Sequence, residues 1–220
     1  EQARVSKRLQ ADLVEWRIDA YEAVDDIAGC VEALATLRGV IADTPLIFTC
    51  RIAAEGGMQP ITQSNRRALI EAAVRSGDVD IVDVELCNDS EFIQRIQTIA
   101  DGADVKLILS YHNFEKTPDA DFLTGKLEQA QALGADIAKV AAMPKNYQDV
   151  LSLLEATLRA RTGSIRIPMI TVSMAEEGLV TRVAGGLFGS DITFASGRTA
   201  SAPGQIPVEE LRRAMAVLFR

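Results

Sequence analysis

Histidine is almost missing from these 220 residues: His112 is the single one, which excludes any metal site that needs two imidazoles. Nothing in the residues asks for a metal or another cofactor. Cysteine is scarce as well. Cys30, Cys50 and Cys87 are far apart and form no CxxC pair, so neither a disulfide framework nor a zinc ribbon is indicated, and buried free thiols in a reducing compartment are expected. The chain lacks a basic surplus: its net charge is −8 and its sequence pI is about 4.8. That argues against a general nucleic-acid or anionic-membrane partner, and any anionic ligand must be held by a few local arginines. No apolar run is long enough to span a bilayer and no leader is recognisable, which predicts a cytoplasmic protein. There is also no GxGxxG after a strand and no Walker-type loop.

What remains is an ordinary globular composition, 48% hydrophobic and 25% charged, at a length suited to one domain over 1–220. Strand-like segments at 13–19, 45–51, 79–86, 106–112, 134–144, 167–173 and 191–195 alternate with helical ones at 24–37, 63–75, 90–100, 118–133, 147–159, 182–188 and 208–218. Such alternation predicts parallel strands joined by right-handed crossovers, either wound open or closed as a barrel. Without a dinucleotide or phosphate fingerprint, a (β/α)8 TIM barrel is favoured. Seven strands are counted where eight are needed. The helical stretch 1–10 is then expected to follow a first strand that is missing from the N-terminus.

The segment 134–144 carries Lys139 between Ile137, Ala138, Val140 and Ala141. A lysine so enclosed must be paired with a carboxylate, or neutral, or engaged in covalent chemistry, for which a desolvated amine able to form a Schiff base is suited. Side chains two apart on a strand share a face. Glu15 with Arg17, Thr49 with Arg51, Asp83 with Glu85, and Ser110 with His112 therefore line up near the C-terminal ends of four strands, where barrel enzymes build their sites. A single such pair is most simply a solvated strand end; five strands with a titratable group at the same end point to one pocket. An imidazole close to an imine-forming amine suits proton transfer beside a carbonyl, and Glu85 or Glu55 could orient it. The segment 196–207, rich in small residues, could close as a lid.

Separated motifs in order along the chain resemble the type I 3-dehydroquinate dehydratases, Schiff-base enzymes of the shikimate pathway. They are Glu15-Trp16-Arg17-Ile18-Asp19, Phe48-Thr49-Cys50-Arg51 with Glu55-Gly56-Gly57, Asp83-Val84-Glu85-Leu86, Ser110-Tyr111-His112-Asn113-Phe114, and the run into Lys139. Thr171-Val172-Ser173-Met174, Arg182-Val183-Ala184-Gly185 and Ser201-Ala202-Pro203-Gly204-Gln205 complete the set. The resemblance implies a hydro-lyase that converts 3-dehydroquinate to 3-dehydroshikimate for aromatic amino acid biosynthesis, without cofactor and as a homodimer. It implies that Lys139 forms the imine, that His112 is base then acid, and that Glu55 rather than Glu85 orients it. Glu15, Arg17 and Arg51 would engage ring hydroxyls and neighbouring charges. Arg182, helped by Ser201 and Gln205, would hold the carboxylate, and Met174 and Phe194 would pack on the ring. Two rivals share some of these features. A class I aldolase would use the lysine but needs phosphate loops late in the barrel, and a non-catalytic barrel would leave Lys139, His112 and Glu55 together unexplained.

Overall fold

Among the described residues, five helices open on a residue whose side chain accepts a hydrogen bond from the first turn, so their starts are written locally. Asp26 caps α2 (Ile27–Ile41), Thr62 caps α3 (Gln63–Ser76), Asp89 caps α4 (Ser90–Gly102), Asp119 caps α5 (Ala120–Ala132) and Asn146 caps α6 (Tyr147–Thr162). The computed structural model describes residues 2–197 and 199–219. Its remaining helices are α1 (Gln2–Arg8), α7 (Leu179–Ala184) and α8 (Val208–Leu218). The strands are β1 (Val14–Arg17), β2 (Leu46–Thr49), β3 (Ile81–Glu85), β4 (Lys106–Asn113), β5 (Ile137–Ala142) and β6 (Met169–Ser173).

The strand order in the sheet follows the chain order, β1-β2-β3-β4-β5-β6. This is the sequentially wound α/β arrangement from which (β/α) barrels are made, and every helix between two strands serves as a crossover. β2, β3, β5 and β6 are buried at every residue, the signature of parallel strands covered on both faces. By contacts the chain divides into two compact units, Glu1–Leu109 and Ser110–Arg220.

In the first unit, β1 pairs with β2 and β2 with β3, in a register that sets Arg17 opposite Thr49 and Thr49 opposite Asp83. The apolar core gathers on the other side of these strands. Trp16 and Phe48 meet edge to face with centroids 5.8 Å apart, and Leu34, Leu69, Ile70 and Ile96 are fully covered. Each such side chain contributes about 1.5–3 kcal/mol by burial. In the second unit β5 pairs with β6, Lys139 opposite Ile170. Thr171, on the opposite face of β6, takes a hydrogen bond from Thr157 of α6 (2.8 Å), which fixes the helix-covered side.

Among the described residues there are six strands where the sequence predicts seven. The segment 191–195 forms no ladder, although its Ile-Thr-Phe run has strand character. The edge of β6 is satisfied by side chains instead: Asp191 accepts from Met169 N–H (2.8 Å) and Ser190 Oγ from Thr171 N–H (3.0 Å), leaving one backbone bond, Asp191 N–H to Met169 C=O. The helix expected at 182–188 starts earlier, at Leu179, and ends in a 3-10 turn at Gly185–Phe188. The expectation of buried thiols holds for Cys30 and Cys50 and fails for Cys87, which is exposed in the turn after β3.

Candidate active site

The charged residues of the first unit stand on the strand face that parity predicts. Glu15 accepts from the Thr49 hydroxyl (2.9 Å) across β1 and β2. Arg51, two residues past the end of β2, reaches β3 and donates to Asp83 and Glu85 at 2.9 Å each. Burial alone would lower the basicity of this guanidinium, but the two carboxylates outweigh it and its pKa is raised. Glu85 accepts further bonds from Ile52 N–H (3.1 Å), from Asn88 (3.2 Å) and from Arg66. Its oxygens are therefore committed to this network.

Glu55 lies in a 3-10 turn (Ala53–Glu55) and is buried, and Gly56 ends that turn in the left-handed region, φ 85°. At Gly57 a Cβ would fall 2.3 Å from the Arg51 carbonyl, so only glycine lets the loop fold back on β2. The Glu55 carboxylate acts on the Cys87 thiol, which is pushed up to about 12 by desolvation and then by this charge. Arg17 pairs with Asp19 through two bonds, 2.8 and 2.7 Å. Glu15 and Arg51 act on it electrostatically, so Glu15, Arg17 and Arg51 form one neighbourhood.

In the second unit Lys139 is 6% exposed, and its ammonium nitrogen lies 4.8 Å from the centroid of the Phe194 ring. A ring face at that distance attracts a cation and keeps water off it. Met143 N–H donates to Asn113 C=O (2.8 Å), as Met174 N–H donates to Ala142 C=O (2.8 Å) where Ala142 stands opposite Ser173. The same offset sets Asn113 opposite Ala142, hence Ser110 opposite Lys139 and His112 opposite Ala141. His112 and Lys139 thus share a face of neighbouring strands. Met174, directly after β6, is buried and follows Ile170 and Val172 on the Lys139 side.

Arg182, on α7, is 2% exposed. It donates to the carbonyls of Phe194 (3.1 Å) and Pro203 (2.9 Å), while its Nε has no hydrogen-bond partner and no carboxylate among the described residues compensates its charge. Desolvation pushes its pKa down to about 10, so it is still a cation at neutral pH. Burying a guanidinium without a counter-charge is costly, and a carboxylate is the partner its forked donors fit. Ser201 and Gln205 are brought together with each other, Ser201 N–H to Gln205 Oε1 at 2.7 Å, and neither bonds Arg182. The loop meets the guanidinium through Pro203, and Gly204 (φ 74°) packs so closely that a Cβ would lie 2.1 Å from the Ala175 carbonyl.

Two residues of the charge network escaped the sequence reading. Arg66 is buried and sits in a helix of polar composition, yet its spacing with Leu69, Ile70, Ala73 and Val74 puts it on the covered face, and that spacing is legible. Asp19 was noticed only as part of a motif and is fully buried. Among the described residues no cluster of three or more His, Cys, Asp or Glu could hold a metal, and no helix is long and apolar enough to cross a membrane.

Comparison with known proteins adds the following. The model of the family described as Type I 3-dehydroquinase matches residues 1–220. The 3-dehydroquinate dehydratase of Bacillus licheniformis is 46% identical over 220 residues, covering all of this chain and 87% of that protein. The crystal structure of 3-dehydroquinate dehydratase from Geobacillus kaustophilus superposes with a TM-score of 0.95 at 44% identity, covering 98% of this chain and 84% of that one. The type I enzyme from Clostridium difficile, solved with covalently modified comenic acid, gives a TM-score of 0.95 at 40% identity, covering 99% and 85%.

Proposed function

The chain belongs to the type I 3-dehydroquinase family, hydro-lyases that convert 3-dehydroquinate to 3-dehydroshikimate in the shikimate pathway, and on that premise we propose how its own residues divide the work. Lys139 attacks the substrate's C3 ketone and, with loss of water, becomes a protonated imine, an electron sink that acidifies the C2 proton. His112 removes that proton and returns one to the departing C1 hydroxyl, which leaves as water. Hydrolysis of the imine then frees product and lysine. Glu55 orients the imidazole. Glu15, Arg17 and Arg51 engage ring hydroxyls and neighbouring charges, Met174 and Phe194 pack on the ring, and Ser201 and Gln205 close over it.

The observation that carries this reading is Arg182, a buried cation with no carboxylate partner among the described residues, beside a small-residue loop. The substrate's carboxylate supplies the missing charge. An aldolase acting on sugar phosphates has less support, because one forked guanidinium suits a carboxylate. Family resemblance supports a single (β/α) barrel domain over 1–220, a cytoplasmic setting and a homodimer as parts of the same proposal, and a monomer in sedimentation would remove the last. The decisive experiment is borohydride added during turnover of dehydroquinate. The expected result is a covalent adduct on the peptide that contains Lys139; turnover with no trapped adduct would remove the imine.

A further inference from the structure

Asp19 is completely buried, carries a charge, and has no part in the division of work above. It is the point where three pieces of the first unit are tied. Oδ1 accepts from Arg17 Nε (2.8 Å) and from Arg51 N–H (3.2 Å), and Oδ2 accepts from Arg17 Nη2 (2.7 Å) and from Met58 N–H (3.0 Å). The backbone around it is pinned as well, since Gln59 donates to the carbonyls of Asp19 (3.0 Å) and Tyr21 (2.9 Å). Four donors converge on two oxygens, so the carboxylate has one orientation that satisfies them all.

The consequence falls on Arg17. A guanidinium has five N–H donors in one plane. Asp19 takes one from Nε and one from Nη2, and the Gly56 carbonyl takes the other Nη2 donor (3.1 Å). The two donors on Nη1 have no hydrogen-bond partner among the described residues, and the Arg17 side chain keeps 14% of its surface. Held by its Nε edge, the fork cannot rotate, and Nη1 is the end left for a ligand. A lone, freely rotating arginine would lose that orientation each time it exchanged partners, and ordering it on binding costs side-chain entropy.

We infer that Asp19 is a positioning residue that acts through Arg17, fixing the guanidinium so that its Nη1 edge presents two donors to a hydroxyl oxygen of the substrate. The inference rests on the proposed role of Arg17 in binding dehydroquinate and adds the residue that makes this role geometrically defined. Asparagine at 19 keeps the shape, but in either orientation its NH2 group faces one Arg17 donor and one backbone N–H, so Arg17 is released.

The test is a double-mutant cycle on the intact protein with dehydroquinate. Asp19→Asn alone is expected to lower kcat/KM by about 10- to 100-fold, the range for a lost charged hydrogen bond. Most of the loss should lie in KM, and Arg17→Ala should do the same. Adding Asp19→Asn to the Arg17→Ala protein should cost no more than about threefold further, because residues that act as a unit are non-additive. A folded Asp19→Asn protein with the parent's kinetics overturns the inference. So does a loss that repeats in full in the Arg17→Ala background, since that is what a merely structural carboxylate would give. If Asp19→Asn does not fold, Asp19→Glu, which shifts the carboxylate by one methylene, takes its place with the same outcomes. A parent trapped by borohydride on Lys139 alongside a failed cycle refutes only the part given to Asp19, whereas a parent that does not turn over dehydroquinate refutes both.

Discussion

Arg51 and Arg182 are almost equally hidden, 3% and 2% exposed, and their surroundings are opposite. Arg51 lies between Asp83 and Glu85, and its pKa is raised. Arg182 has two backbone carbonyls, an unpartnered Nε and a pKa pushed down to about 10. A compensated cation holds its neighbours in one geometry; an uncompensated one stores a demand for an anion. The first is held in a buried ion-pair network; the second has none among the described residues. Burial by itself therefore says little about role, and the counter-charge decides it.

Four substitutions strain this contrast, in descending order of effect. Lys139→Ala should reduce dehydroquinate turnover by more than about 10⁴-fold while leaving the unfolding transition nearly unchanged, as expected when a nucleophile is removed. Residual turnover within tenfold of the parent would show that another group carries the chemistry. Glu85→Ala leaves Arg66 without its carboxylate and Arg51 with Asp83 alone, and breaking a buried pair of this kind costs about 3–5 kcal/mol. Urea unfolding with an unchanged slope measures it, and a loss under 1 kcal/mol would mean the network is not a framework. Arg182→Met should leave unfolding within about 1 kcal/mol of the parent but raise KM for dehydroquinate about 10- to 100-fold, the worth of charged hydrogen bonds to a carboxylate. A marked loss of stability with normal KM would reassign Arg182 to the framework.

The smallest effect concerns pH. Burial tends to raise the pKa of Asp19, but the hydrogen bonds and charge of Arg17 with the N–H groups of Met58 and Arg51 outweigh it, so its folded pKa is below the unfolded value of about 3.9. The sign follows from linkage: the unfolded chain binds more protons in the acid range, so the stabilisation is complete above about pH 4 and is lost as pH falls through the folded pKa. Asp19→Asn should accordingly flatten the acid limb, its difference from the parent being constant near neutrality and shrinking below about pH 4. Equal slopes in both proteins would show that Asp19 is not the carboxylate that titrates there.

The paired residues on the first unit's strands were legible in the sequence because alternation is a property of the backbone. Glu15 and Thr49, or Arg51 with Asp83 and Glu85, needed only the parity of their own strands to be put on a common side. Arg66 was missed because its helix reads as polar, although Leu69, Ile70, Ala73 and Val74 mark the covered face it belongs to. The segment 191–195 misled in the other direction. Its Ile-Thr-Phe run carries the local preference of a strand, but the ladder it would have joined is already occupied by the Asp191 and Ser190 side chains.

By itself the sequence determined the alternation of strands and helices, the capped helix starts, the apolar strand that encloses Lys139 and the family motifs, all of which are properties of neighbouring residues. Only the tertiary structure decided which arginine is compensated, that Asp19 receives the N–H groups of Arg51 and Met58, and that the Phe194 ring covers Lys139. The physical reason is distance along the chain. Arg51 and Asp83 are 32 residues apart, and no local rule of spacing or propensity selects a partner that far away until the strands are in register.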